Sequence, residues 1–92
     1  MRPRTLDVPI KRKWFDKIVD GKKTIEYRKF GSFWGSRLEG KQYDQIRFRN
    51  GYTSDAPEIY TEYRGVRRNF RTSEYEIRIG RILKKKRLRH RS

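Results

Sequence analysis

Five short runs of this chain alternate apolar with polar residues, and one stretch breaks the rhythm. Leu6, Val8 and Ile10 alternate with Asp7 and Pro9. Ile25 and Tyr27 alternate with Glu26 and Arg28, and Ile46 and Phe48 with Gln45, Arg47 and Arg49. Ile59, Thr61 and Tyr63 alternate with Tyr60, Glu62 and Arg64, and Tyr75, Ile77 and Ile79 with Glu76 and Arg78. A period of two is that of a strand with one face in a core. From Lys11 to Asp20 the period lengthens, and Trp14, Phe15, Ile18 and Val19 fall on one helical stripe. Gly21 stands where a left-handed residue ends a helix. The order strand, helix, strand, irregular turn, three strands predicts an α+β, mostly β fold. Its expected form is a small, partly closed five-stranded β-barrel capped by one N-terminal amphipathic helix, with an open α+β sheet as the alternative.

Turn residues punctuate this plan. Pro9 cannot donate to a ladder, so its strand belongs at an edge or ends there. Phe30 to Gly40, with Phe33, Trp34 and Leu38 among glycines and serines, reads as a loop with one helical turn. Asn50-Gly51 starts a polar turn that runs to Pro57, too long for a two-residue hairpin. Gly65 to Ser73 reads as a basic loop carrying Arg67, Arg68, Phe70 and Arg71. At Gly80 the phase shifts to Ile82 and Leu83, as a bulge would shift it. Lys84 to Ser92 is a run of like charge and reads as a disordered arm. The expected organisation is one domain over residues 1–83 and a basic tail over 84–92.

With 92 residues and 33% hydrophobic content, the core must be thin, and the 14% aromatic share supplies much of it. Against 26 Lys and Arg stand 11 Asp and Glu, a net charge of +15. Such an excess opposes compaction unless a polyanion relieves it, and nucleic acid is the commonest one. Cysteine is absent and the one histidine is His90, which excludes disulfides, thiolate metal sites and histidine-centred catalysis. No metal and no cofactor are expected. No apolar run is long enough to span a membrane and no secretory leader is visible, so a cytoplasmic, monomeric protein without membrane association is expected.

The chemistry gathers at Gly21-Lys22-Lys23-Thr24-Ile25-Glu26-Tyr27-Arg28. On a strand, Glu26 and Arg28 share one face and Ile25 and Tyr27 the other, so one face can enter a core while the other presents a carboxylate beside a guanidinium. That pair, with Lys23 at the strand's entrance, is either a polar-ligand site or a surface ion pair. Trp14 reads as core. Trp34 and Arg37 are candidates for the ligand-facing side. Arg47 and Arg49 form either a phosphate track or a solubilising face. Arg64, Arg67, Arg68 and Arg71, interleaved with Phe70, combine charge with a stacking surface, and Lys84, Lys85, Lys86 and Arg87 extend the basic charge.

The spacing Gly21-x-Lys23-x-x-Glu26-x-Arg28, at the junction of first helix and second strand, resembles the mark of the ASCH family, small relatives of the PUA domain. Asn50-Gly51-Tyr52 and Tyr75-Glu76-Ile77-Arg78-Ile79-Gly80 are also similar to that family, and the resemblance covers about residues 5 to 83. It implies a PUA-like barrel with a cleft beside the first helix, lined by Lys23, Glu26 and Arg28, that takes RNA, a nucleoside or a nucleotide. Some family members are amidohydrolases acting on N4-acetylcytidine, and at least one is a ribonuclease. The lysine of the amidohydrolase branch matches Lys23, and its threonine falls at Glu26.

Three functions are therefore expected in order. The first is a binding module for RNA or single-stranded nucleic acid with a nucleotide cleft at the motif. The second is an enzyme, a metal-independent ribonuclease or a nucleoside amidohydrolase, with Lys23 and Glu26 moving protons. The third is a basic accessory protein, of viral or phage type, docking on an acidic partner.

Overall fold

Pro9 falls at the end of an edge strand, where its missing N–H interrupts no central ladder. The computed structural model describes residues 2–88. Its elements are β1 (Thr5–Pro9), α1 (Arg12–Val19), β2 (Ile25–Lys29), α2 (Ser32–Leu38), β3 (Gln45–Arg49), β4 (Glu58–Asn69) and β5 (Glu74–Lys86). The five strands form one sheet in the order β1-β3-β4-β5-β2. β1 pairs with β3 in parallel, and the other three ladders are antiparallel. The sheet curls into a half-barrel, an α+β and mostly β architecture whose two edges are β1 and β2.

The concave core takes Leu6 and Val8 from β1, Ile46 and Phe48 from β3, Ile59 and Thr61 from β4, and Tyr75, Ile77 and Ile79 from β5. Phe15 and Ile18 of α1 and Leu38 of α2 close it. α1 ends in a Schellman motif. Gly21 has φ +75°, its N–H donates to the Ile18 carbonyl at 3.0 Å, and the Lys22 N–H donates to the Lys17 carbonyl at 2.9 Å. This stop turns the chain directly into β2.

A bulge does form at Gly80. Thr61 pairs with Ile82 and Tyr63 with Ile79, so two steps on β4 face three on β5. A Cβ at Gly80 would lie 2.6 Å from Arg64 Nε and 2.7 Å from Glu62 Cβ, so any other residue there forces its neighbours to shift.

Several expectations are corrected. Phe30 to Gly40 is not a loop with one turn but holds the seven-residue helix α2. Arg67 and Arg68 are not in a loop, because β4 continues to Asn69 and only Phe70 to Ser73 turn the chain. Lys84, Lys85 and Lys86 are not part of a disordered arm. They complete β5 opposite Tyr60, Ile59 and Glu58, and Arg87 continues past the strand with its Nη2 3.3 Å from Glu58. Residues 89–92 of the expected tail, His90 among them, lie outside the described residues.

Trp14 is not core either. It is 38% exposed while Phe15 is 2% exposed. The buried arc of α1 is centred on Phe15 and Ile18, and Trp14 stands at its margin. On β2 the faces are reversed from the simple apolar-inside reading. Glu26 pairs with Ile77 and Arg28 with Tyr75, and cross-strand partners share a face. Ile77 and Tyr75 are core, so Glu26 and Arg28 point inward and Tyr27 points out.

Candidate functional site

Glu26 is 5% exposed, and two cations compensate its burial. Its Oε1 lies 3.0 Å from Lys23 Nζ, and its Oε2 accepts from Arg28 Nη1. The helix stop at Gly21 delivers Lys23 to the start of β2, three residues before Glu26. Arg28 also donates from Nη1 to the Tyr27 carbonyl at 2.9 Å and from Nη2 to the Pro9 carbonyl at 2.7 Å. A buried carboxylate without such partners would be costly. Each oxygen uses one lone pair on a cation and keeps another for a donor.

This triad lies at a cleft of about 760 Å³. Pro9, Ile10, Lys11 and Trp14 form one side, Tyr27 another, and Gly51 and Tyr52 of the β3–β4 connection a third. The Lys23 ammonium sits 5.1 Å from the centre of the Trp14 ring and 5.3 Å from that of Tyr27. Lys13 and Lys17 approach the same indole at 4.8 and 5.5 Å. Cations thus ring the aromatic wall, as suits a ligand with both a π-face and negative charge. Burial of the triad comes from the half-barrel itself, because the inner face of β2 looks across to the end of β1.

The remaining sequence candidates divide into three groups. Trp34 lies behind the triad, packed on the core with the Arg28 guanidinium 5.2 Å from its ring, and does not line the cleft. Arg37 does not point into the cleft as expected. It lies 3.5 Å over the Phe33 ring and donates to the Phe33 carbonyl at 2.8 Å.

Arg47 and Arg49 do not form a free phosphate track. Arg47 pairs with Asp7, and Arg49 Nε is 3.5 Å from the buried Glu58, which Arg87 also approaches. Burial works against the Arg47 charge, but the Tyr60 hydroxyl and Asp7 outweigh it and raise its pKa above the ordinary arginine value. Lys84 and Lys86 each approach the Tyr60 ring at 5.6 Å, and Lys85 is exposed.

Arg64 pairs with Glu62 at 3.0 Å, and Arg68 reaches Glu39 at 3.4 Å. Arg67, Arg71 and Phe70 are exposed near the β4–β5 turn, with Phe70 edge-on to Phe30. Glu39 also accepts from the Tyr75 hydroxyl at 3.0 Å; burial, then that bond, raises the Tyr75 pKa.

Sequence reasoning missed Trp14, Lys11, Tyr27 and Tyr52 as cleft residues. The available signal was the placement of Trp14 at the edge of its helical stripe, in the helix that leads directly into the motif. It also missed Glu58, an acidic residue opening a strand beside three arginines. Among the described residues, no cluster of acidic or histidine side chains is arranged to hold a metal ion, and no helix is long and apolar enough to cross a membrane. Compared with protein-family models, curated proteins and solved structures, the chain matches none.

Proposed function

We propose that this chain is a binding module for RNA or single-stranded nucleic acid that holds one base or nucleotide in the cleft between α1 and β2. The observation that carries the reading is Glu26, buried between Lys23 and Arg28 beside a cleft walled by Trp14, Tyr27 and Tyr52. Ligand sites of this size combine apolar walls with few, fixed polar groups. A base supplies a flat face for the aromatic rings and a polar edge for the triad, and the surrounding lysines suit its phosphate. The basic surface near the β4–β5 turn, with Arg67, Arg71 and Phe70, supplies further backbone contacts.

The ASCH resemblance agrees with this reading, because it sets Lys23, Glu26 and Arg28 in a nucleotide cleft. Its amidohydrolase branch fits less well. The branch's threonine falls at Glu26, and the cleft residues named above include no serine or threonine. A ribonuclease reading rests on the 3.0 Å contact between Lys23 and Glu26, a pair able to move a proton.

One experiment separates these readings. Pure protein is incubated with labelled single-stranded RNA in the presence of a chelator, and binding and cleavage are followed together. Binding without cleavage, weakened in Lys23→Ala and Trp14→Ala, supports the module. Cleavage that disappears in Glu26→Gln makes the chain an enzyme. Absence of both from folded protein overturns the cleft reading.

A further inference from the structure

We infer that the cleft selects guanine among the bases. The inference rests on the nucleotide-binding reading above and adds the identity of the base.

The carboxylate of Glu26 only accepts when ionised, and each oxygen already holds one cation, Lys23 on Oε1 and Arg28 on Oε2. What it can add is a pair of parallel bonds from two neighbouring donors. Guanine carries such a pair on its Watson–Crick edge, N1–H beside the N2 amine. Next to them stands the O6 acceptor.

Because a cation flanks each carboxylate oxygen, whichever oxygen meets N1–H has a donor beside it for O6. Lys23 has two further N–H groups, and Arg28 Nη2 has one beyond its bond to Pro9. Guanine can therefore dock in either sense with three charge-assisted bonds.

The other bases cannot match this. Adenine offers its N6 amine but places the N1 lone pair against the second carboxylate oxygen. Cytosine repeats that conflict with its N4 amine and N3. Uracil has one donor, N3–H, between two carbonyls, so one carbonyl faces the carboxylate. A site built around a fixed polar group rejects ligands that leave it unpaired far better than it rejects differences of shape. Burial sharpens the choice, since Glu26 has little water to fall back on. Trp14, Tyr27 and Tyr52 add stacking that every base shares, so they contribute affinity without preference.

The test is calorimetric titration of the protein with GMP, IMP, AMP, CMP and UMP, with melting curves alongside. GMP should bind at least about tenfold more tightly than AMP, CMP or UMP, from the loss of one or more charged hydrogen bonds. IMP, which keeps N1–H and O6 but lacks the amine, should fall between. In Glu26→Gln the carboxamide offers one acceptor and one donor, which suits adenine, so the preference should move from GMP toward AMP. If that variant does not fold, the five-nucleotide series on the parent protein decides alone. Equal binding of all five overturns guanine selection and leaves the nucleotide cleft standing. No binding of any of them by folded protein overturns both.

Discussion

Arg28 of β2 donates from Nη2 to the carbonyl of Pro9 on β1, 2.7 Å away, and these two strands are the opposite edges of the sheet. The bond therefore spans the seam of the half-barrel. The same guanidinium holds Glu26, so one side chain ties the seam to the cleft.

Arg28→Ala should lower stability markedly. It leaves Glu26 with Lys23 as its only cation in the triad and removes the link across the seam. Breaking a buried pair from one side costs about 3–5 kcal/mol, and the partial exposure of Arg28 sets the expectation at the lower end. Arg28→Lys keeps the charge without the planar fork and should fall between. Thermal unfolding of both variants is the measurement, and parental melting in Arg28→Ala would show that the seam needs no tie.

Trp14 and Phe15 should separate binding from folding. Phe15→Ala removes a core ring and should destabilise by about 3–5 kcal/mol. Trp14→Ala should cost clearly less stability than Phe15→Ala, because Trp14 is 38% exposed at the margin of the buried arc while Phe15 is 2% exposed. Its loss should weaken nucleotide binding by about 1–3 kcal/mol if bases stack there. Denaturant unfolding and titration of both variants check the pair, and a large stability loss in Trp14→Ala would contradict its assignment to the cleft wall.

Gly80→Ala introduces a methyl 2.6 Å from Arg64 Nε and 2.7 Å from Glu62 Cβ. The arginine tip can swing away, but the Glu62 Cβ is fixed to β4. The bulge must deform, at about 1–3 kcal/mol. A melting temperature equal to the parent's would mean that the bulge is softer than its contacts indicate.

Deleting residues 84–92 should destabilise the domain rather than trim an arm. It removes the pairing of Lys84, Lys85 and Lys86 with Tyr60, Ile59 and Glu58, and takes Arg87 away from the buried Glu58. Unchanged thermal unfolding of the truncated chain would restore the reading of this stretch as a dispensable tail.

Glu62 gives a pH test. The backbone N–H of Arg81, then the Arg64 side chain, hold its carboxyl below the ordinary value of 4.5. A depressed folded-state pKa contributes stability above the unfolded value, and that contribution is lost as pH falls through the lower, folded one. Carboxyl NMR titration should find Glu62 below 4.5, and Arg64→Ala should move it upward. A Glu62 value at or above 4.5 in the parent would remove the assignment.

The strand positions were legible because alternation survives in sequence wherever one face is buried. The Schellman stop at Gly21 and the bulge at Gly80 were legible because each shows as a glycine at a change of phase. What stayed hidden has physical causes. A stretch of glycines and serines can still wind into α2 when Leu38 is drawn into the core. Charge is not the same as exposure: Glu26 is buried between Lys23 and its strand neighbour Arg28, and Glu58, which carried no signal of its own, is buried beside Arg49 and Arg87 from distant parts of the chain. Like-charged Lys84, Lys85 and Lys86 read as a solvated arm because their partners on β4 are some 25 residues away. The triad itself was legible as spacing. Its aromatic walls were not, since Trp14, Tyr27 and Tyr52 come from three separate elements or connections.

The long β4–β5 hairpin closes over a turn of four residues, Phe70 to Ser73. The parallel pairing of β1 with β3 joins positions 40 residues apart, Thr5 with Gln45, and Glu26 meets Ile77 across half the chain. Local closure is entropically easy and distant closure is slow, so the hairpin is expected to form first and the edge strands last. The cleft between α1 and β2 draws its lining from the end of β1, from β2 and from the β3–β4 connection, so it is complete only once both edge strands are in place. A nucleotide held there would thus bind the finished fold alone, and saturating ligand should slow unfolding and raise the melting temperature of the whole domain as its concentration rises.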